Sequence, residues 1–285
     1  MKNIGFIGVG YMGYGIAKNI LKHKNYLFVI ANKNRKPIDK IVNEGAEEVK
    51  SFEDFANKNL DALIMCVTNT PIAKSISEKI SKVLNSKTLI IDITTHNKTG
   101  SMETEQIFKS NNINYIECPV MGGPGQAEEG ILGGIVGGSD ENFKLSEPYL
   151  KMFCKDYFYF GPVGMGAKSK LLNNFLSLGN AALVNHLAKT ATELGLDLQK
   201  VFDVAKLGSG NSAGLIRIFE SLLKGDFKGF KFTATNSVKD LSYIQDLLKD
   251  FPEAEKVAEV NKNYFQKAVD DGYGESFISE LIEKK

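Results

Sequence analysis

The string Gly8-Val9-Gly10-Tyr11-Met12-Gly13 constrains this chain more than any other feature, because of where it falls. It closes an apolar, strand-like run at Lys2–Val9 and opens a helical pattern at Met12–Lys22. Alone, a Gly-x-Gly-x-x-Gly string is weak evidence. Between a strand and a helix each glycine has a task. The first permits a tight turn, the second lets a pyrophosphate approach the backbone, and the third lets helix and strand pack closely. The exposed amides and the positive end of the helix then favour phosphate. The bland alternative is a glycine turn with no ligand. With strand, glycines and helix in register, the reading is a dinucleotide loop formed by Gly8, Val9, Gly10, Tyr11, Met12 and Gly13.

Further strand-like runs follow at Tyr26–Ile30, Leu60–Val67, Thr88–Ile93 and Tyr115–Cys118, with short ones at Gly134–Gly137 and Tyr157–Phe160. Helical patterns lie between them at Pro71–Leu84, Lys98–Lys109 and Glu141–Phe153. The early runs are near-continuously apolar, as in Ala62–Val67, which suits strands covered on both faces. This predicts an α/β fold, a Rossmann doubly wound and mostly parallel sheet. Gly161-Pro162-Val163-Gly164 is a breaker cluster. A long helical pattern then runs over Ala167–Glu193, with Leu171, Phe175, Leu178, Leu183 and Leu187 at roughly helical spacing. Beyond it come helical segments broken by Gly195, Gly208, Gly225 and Gly272. The expected domains are 1–161, dinucleotide-binding, and 162–285, all-helical and beginning with a long interdomain helix.

At 285 residues the chain is too long for one ordinary core. With 35 Lys and Arg against 34 Asp and Glu it lacks the basic bias that nucleic acid or an anionic membrane would demand. No apolar run approaches a membrane span. The strand at residues 2–9 leaves no room for a signal peptide. Cys66, Cys118 and Cys154 are odd in number and widely spaced, which suggests reduced thiols and a cytoplasmic protein. With only His23, His96 and His186, and no thiol pair at zinc spacing, no metal site is expected.

Where the second strand ends, a carboxylate usually meets a ribose with a free 2′-hydroxyl. This chain has Ala31-Asn32-Lys33-Asn34-Arg35-Lys36 there, and no acid before Asp39. Asn32 can bond the ribose oxygen, while Lys33, Arg35 and Lys36 could meet a 2′-phosphate. One charge-assisted hydrogen bond contributes about 1.5–3 kcal/mol, or about ten- to a hundred-fold in preference. NADP is therefore expected over NAD; a solvated basic loop is the plain alternative.

A second glycine cluster, Pro119-Val120-Met121-Gly122-Gly123-Pro124-Gly125, follows the strand at Tyr115–Cys118. Bare backbone amides can cup an anion, and a carboxylate substrate would suit; a mobile turn explains the glycines equally well. On the long helix, Lys170, Asn173 and Asn174 share a face by their spacing. Two amides beside an ammonium look like a pocket wall rather than a solvated surface.

Together these residues resemble the β-hydroxyacid dehydrogenases, which include 3-hydroxyisobutyrate dehydrogenase, tartronate semialdehyde reductase and glyoxylate/succinic semialdehyde reductase. The resemblance runs nearly end to end. It covers Gly5 to Gly13, Asp92-Ile93-Thr94-Thr95, Pro119 to Gly123, Gly164 to Lys170 with Asn173-Asn174, and Lys239-Asp240-Leu241. It implies Lys170 as catalytic acid/base and Asn174 as the residue orienting the substrate or the lysine. Thr95 would lie at the nicotinamide, although alone it could be a helix cap. Val67 and Thr68 would line the cofactor crevice, and Lys239 would reach the cofactor from the helical domain. Gly122 and Gly123 would bind the substrate carboxylate through their amides, with Met121 and Asn173 beside it.

The family commonly has serine at Met121, threonine at Ile131 and arginine at Lys33, so this pocket is more apolar and its phosphate contact less bidentate. The implied reaction passes a hydride from NADPH to a short-chain semialdehyde or keto acid, with Lys170 protonating the new alkoxide. A lysine ordinarily holds its proton at neutral pH, which suits reduction. The rival readings are an NAD-dependent 3-hydroxyisobutyrate dehydrogenase working in oxidation, a non-catalytic NADP-binding scaffold or sensor, and an imine reductase. A homo-oligomer, dimer or tetramer, is expected by family analogy.

Overall fold

The computed structural model describes residues 1–30 and 34–284, so Asn32 and Lys33 lie outside the described residues. The chain divides into two compact units, Met1–Lys170 and Leu171–Lys285. The division falls inside a helix, later than the breaker cluster at Gly161 suggests, because the first turns of that helix belong to the first unit.

The first unit alternates strand and helix: β1 (Asn3–Ile7), α1 (Tyr11–Lys22), β2 (Tyr26–Ile30), α2 (Arg35–Asn43), β3 (Glu47–Val49), β4 (Ala62–Met65), α3 (Thr70–Ile80), β5 (Leu89–Asp92), α4 (Gly100–Lys109) and β6 (Asn114–Glu117). Their order in the sheet is β3-β2-β1-β4-β5-β6, with every pairing parallel. This is the doubly wound Rossmann order, whose reversal beside β1 opens a crevice at the strand ends. Side chains alternate between the two faces. Ile4, Phe6, Ala62, Ile64, Leu89 and Ile91 join one core, while Ile7, Leu63, Met65 and Ile90 join the other. Burial on both faces is why these strands read as unbroken apolar runs.

A smaller mixed sheet continues beside β6. It consists of β7 (Val120–Met121), β8 (Leu132–Val136) and β9 (Cys154–Tyr159), with α5 (Pro124–Glu129) after β7 and α6 (Asp140–Leu150) after β8. The strand expected at Gly134–Gly137 starts earlier, at Leu132, and the one expected at Tyr157–Phe160 starts at Cys154. α2, β3 and α5 lie where the sequence suggested no element.

α7 (Met165–Glu193) leaves the first unit and enters the second. The second unit adds α8 (Leu198–Leu207), α9 (Ala213–Leu222), α10 (Ala234–Leu247) and α11 (Pro252–Ala268). Its core gathers Leu171, Leu178, Phe202, Phe219, Leu241 and Phe265. Side-chain oxygens of Asp197, Ser212 and Thr233 cap α8, α9 and α10, satisfying amides that the helices leave open. No described helix is long and apolar enough to cross a membrane.

Candidate active site

The glycine loop separates packing from space. A Cβ at Gly8 would stand 2.1 Å from the Cys66 carbonyl oxygen, and one at Gly13 would stand 2.1 Å from the Gly8 oxygen. Both positions must be glycine for β1, β4 and α1 to close, and Gly8 is also left-handed at φ +101°. A Cβ at Gly10 would meet nothing within 4 Å. Among the described residues no packing demands glycine there, which leaves room for a ligand such as a pyrophosphate. Gly10 also starts α1 without offering a side-chain oxygen to the first turn. These residues fit a dinucleotide. Of the others in the loop, Tyr11 is exposed and Met12 packs against the core.

After β2, the Arg35 guanidinium is held by the chain's own acids. It donates to both oxygens of Glu48, at 2.5 and 3.0 Å, and to Asp39 at 2.7 Å. The pairing holds the Glu48 carboxyl below the usual carboxylate range. A 2′-phosphate would have to compete with both carboxylates for this side chain.

Val67 and Thr68 follow β4, and Thr95 follows β5, at the crest of the sheet. A buried network that the sequence did not suggest ties these loops together. The Asp92 carboxylate accepts the Thr94 amide at 2.9 Å and the Tyr115 hydroxyl at 3.1 Å, and lies 2.8 Å from His96 Nε2. His96 Nδ1 lies 3.2 Å from the Thr70 hydroxyl, which accepts the Asn97 amide at 3.0 Å. His96 is thus a satisfied core side chain.

The second glycine cluster turns at Gly122, left-handed at φ +116°. Gly123 precedes α5, and its amide donates to Gln126 Oε1 at 2.7 Å. The expectation that both glycine amides await a carboxylate therefore changes: the Gly123 proton is already engaged by a neutral side chain. Met121 is half-buried in β7. Lys170, one turn into α7, donates from Nζ to the Val120 carbonyl at 2.7 Å. The lysine therefore ends on the segment that leads into Gly122-Gly123. The start of its helix is seated by Glu117, whose Oε1 accepts the amides of Gly164 at 2.7 Å and Gly166 at 2.8 Å.

In the second unit, Asn174 donates from Nδ2 to Asp240 Oδ2 at 2.7 Å. Lys239 pairs with Asp240 Oδ1 at 2.8 Å, without the alignment of a hydrogen bond. Asn173 is half-buried on α7. Glu117 carries no sequence signal of its own, and Asp240 appears there only within Lys239-Asp240-Leu241, because a carboxylate in a sequence looks like surface until its burial is known. A glycine-flanked helix start at 164–166 was the one available hint of Glu117.

A model of the NAD-binding domain of 6-phosphogluconate dehydrogenase matches residues 3–161. A model described as the NAD-binding region of NADP-dependent 3-hydroxyisobutyrate dehydrogenase matches residues 164–284. The mitochondrial 3-hydroxyisobutyrate dehydrogenase of Bos taurus is 30% identical over 256 residues, 85% of this chain and 74% of that protein. The chain belongs to the 3-hydroxyisobutyrate dehydrogenase family. A probable mitochondrial 3-hydroxyisobutyrate dehydrogenase of Dictyostelium discoideum is 27% identical over 73% of this chain, and the match spans 65% of that protein's length. The fold is that of a 3-hydroxyisobutyrate dehydrogenase from Salmonella typhimurium, with a TM-score of 0.89 at 23% identity over 98% of each chain. Membership makes the chain an NAD(P)-dependent oxidoreductase of the β-hydroxyacid dehydrogenase type.

Proposed function

We propose that this family member reduces a short-chain semialdehyde or keto acid to the hydroxy acid, with NADPH as reductant and Lys170 as the acid. The observation that carries the reading is the Lys170 ammonium held on the Val120 carbonyl, at the head of the Met121-Gly122-Gly123 turn. A proton donor fixed there stands beside the segment suited to a substrate carboxylate. The ammonium offsets charge as it develops on the substrate oxygen and then gives up the proton. In the reverse direction the neutral amine takes the proton back. Gly122 and Gly123 orient the carboxylate, with Gln126 displaced from the Gly123 amide. Met121 lies beside that turn, and on α7 Asn174 is held by Asp240.

A nicotinamide dinucleotide bound at residues 8–13 would supply the hydride. Gly8, Val9, Gly10, Tyr11, Met12 and Gly13 would hold its phosphates, and Val67, Thr68 and Thr95 its nicotinamide side. Preference for NADP rests on the absence of an acid between Ile30 and Asp39, with Asn32, Lys33 and Arg35 supplying polar and cationic contacts. The engagement of Arg35 by Glu48 and Asp39 favours the second reading, an NAD-dependent 3-hydroxyisobutyrate dehydrogenase. The deciding experiment follows cofactor oxidation with glyoxylate, succinic semialdehyde, tartronate semialdehyde and methylmalonate semialdehyde, using NADPH and NADH at equal concentration. Faster turnover with NADPH is expected. Faster turnover with NADH selects the second reading, and no turnover with either cofactor overturns both.

A further inference from the structure

We infer that Glu117 is the positioning residue for Lys170: it seats the first turn of α7 and so sets where the lysine ammonium stands. The inference rests on the proposed role of Lys170 and adds the residue on which that role depends.

Glu117 ends β6 and is fully buried. One oxygen, Oε1, accepts both the Gly164 and the Gly166 amide, at 2.7 and 2.8 Å. These amides belong to the start of α7, where no intrahelical acceptor exists for them. The Ser101 hydroxyl lies beside the same buried carboxyl, although Oε2 meets no well-aligned hydrogen bond among the described residues. An apolar side chain here would leave both amides buried without an acceptor, so the acid is committed to the start of α7.

The backbone around it is shaped to admit that carboxylate. A Cβ at Gly137 would lie 2.2 Å from Glu117 Oε1, and one at Gly166 would lie 3.0 Å from it. Gly164 takes φ +97°, which turns its amide inward. Glycines from two separate segments thus converge on a single oxygen.

What this seat controls lies one turn further on. Gly166 and Lys170 are four residues apart, so the ammonium is carried about 6 Å along the axis from the seat. Three residues after Glu117, the Val120 carbonyl receives that ammonium at 2.7 Å. The short stretch 117–120 therefore grips α7 twice, at its first amides and at the lysine. Releasing the first grip lets the helix start slide or rotate, and a misplacement of about 1 Å at a reacting group costs on the order of a hundred-fold in rate.

The test is steady-state kinetics of the full chain and of Glu117→Ala, Glu117→Gln and Gly166→Ala, using NADPH and the best oxo acid. Glu117→Ala should lower kcat about ten- to a hundred-fold while the KM for NADPH stays within about threefold, because the 8–13 loop does not use Glu117. Glu117→Gln should restore most of kcat, since an amide oxygen accepts the same two hydrogen bonds; a merely structural role would give no such split between kcat and KM. Gly166→Ala crowds the seat from the helix side and should lower kcat several-fold, on the order of 1 kcal/mol of barrier. A folded Glu117→Ala enzyme with unchanged kcat overturns the inference, as does a Glu117→Gln enzyme no better than Glu117→Ala. If Glu117→Ala fails to fold, an unchanged kcat in Gly166→Ala overturns it. A wild type inactive with every oxo acid and both cofactors overturns the parent reading, whereas an active wild type with unaffected variants overturns this inference alone.

Discussion

Lys170 is reached by a carbonyl, and Glu117 by two amides, so single side chains here carry distinguishable duties. Lys170→Ala removes the acid and leaves the glycine loop intact; turnover should fall about 100- to 10,000-fold with little change in NADPH affinity, read by steady-state kinetics and cofactor titration. Gly10 and Gly13 should part company. Gly10→Ala meets nothing among the described residues, so its thermal midpoint should match wild type while its cofactor KM rises about tenfold or more, as expected when a Cβ blocks close phosphate approach. Gly13→Ala strikes the Gly8 carbonyl and should lose about 1–3 kcal/mol in urea unfolding. Glu117 also carries a pH signature. Burial, its largest influence, raises this carboxyl above its ordinary 4.5, so the folded chain holds the proton more tightly than the unfolded chain does. That stabilisation is complete below pH 4.5 and is lost as the pH rises through the folded value. Glu117→Gln removes this falling limb, so its urea midpoint should gain on wild type as the pH rises above 4.5. A gain in the opposite direction would contradict the burial argument. At this scale the sequence spoke unevenly. The spacing of Lys170, Asn173 and Asn174 drew the eye to α7, but the use of the Gly123 amide by Gln126 depends on a six-residue helix that no periodicity announces.

Elements were legible where burial dictates composition. β1, β4 and β5 are covered on both faces and so write themselves as apolar runs. α2 buries only Ile38 and Ile41, too few for a pattern, and β3 is three residues long. β8 carries Gly133 and Gly134, which add no side chains to an alternating signal, so its start was read two residues late. α5 is too short to be stable alone and takes its place from α1. A Cβ at Gly15 would come within 2.5 Å of the Glu128 amide, so the two helices touch backbone to backbone. Asn19 locks the contact: its amide donates to the carbonyls of Gly15, Ala127 and Glu128 at 2.9, 2.8 and 3.2 Å. The helix under the phosphate loop thus fixes the helix behind Gly122-Gly123. Asn19→Ala removes both hydrogen bonds that tie α1 to α5, while the Ala127 carbonyl keeps the Gly130 amide, and should cost about 1–3 kcal/mol in denaturant unfolding. A change of under about 0.5 kcal/mol would mean that packing alone holds the pair.

For the molecule as a whole, a doubly wound first half followed from strand runs, and α7 runs from the first unit into the second without a break in pattern. Its outward face is unlike an ordinary helix surface. Leu172, Leu176, Leu183 and Leu187 are all exposed, spaced so that they fall along one side. A stripe of this kind suits a second copy of the same chain. Light scattering at micromolar concentration should give a dimer or tetramer, and Leu183→Arg should shift it toward monomer; a monomeric wild type would leave the stripe without this explanation.

The hydrogen bond from Gly123 to Gln126 has an effect on selectivity. Any molecule arriving at that turn must evict an acceptor the chain provides for itself. An ester or amide carbonyl only exchanges one neutral acceptor for another, so it gains next to nothing. An ionised acid gains the difference between a charged and a neutral hydrogen bond, on the order of 1 kcal/mol. One internal side chain would thereby tilt the turn toward anions over their neutral mimics by about fivefold.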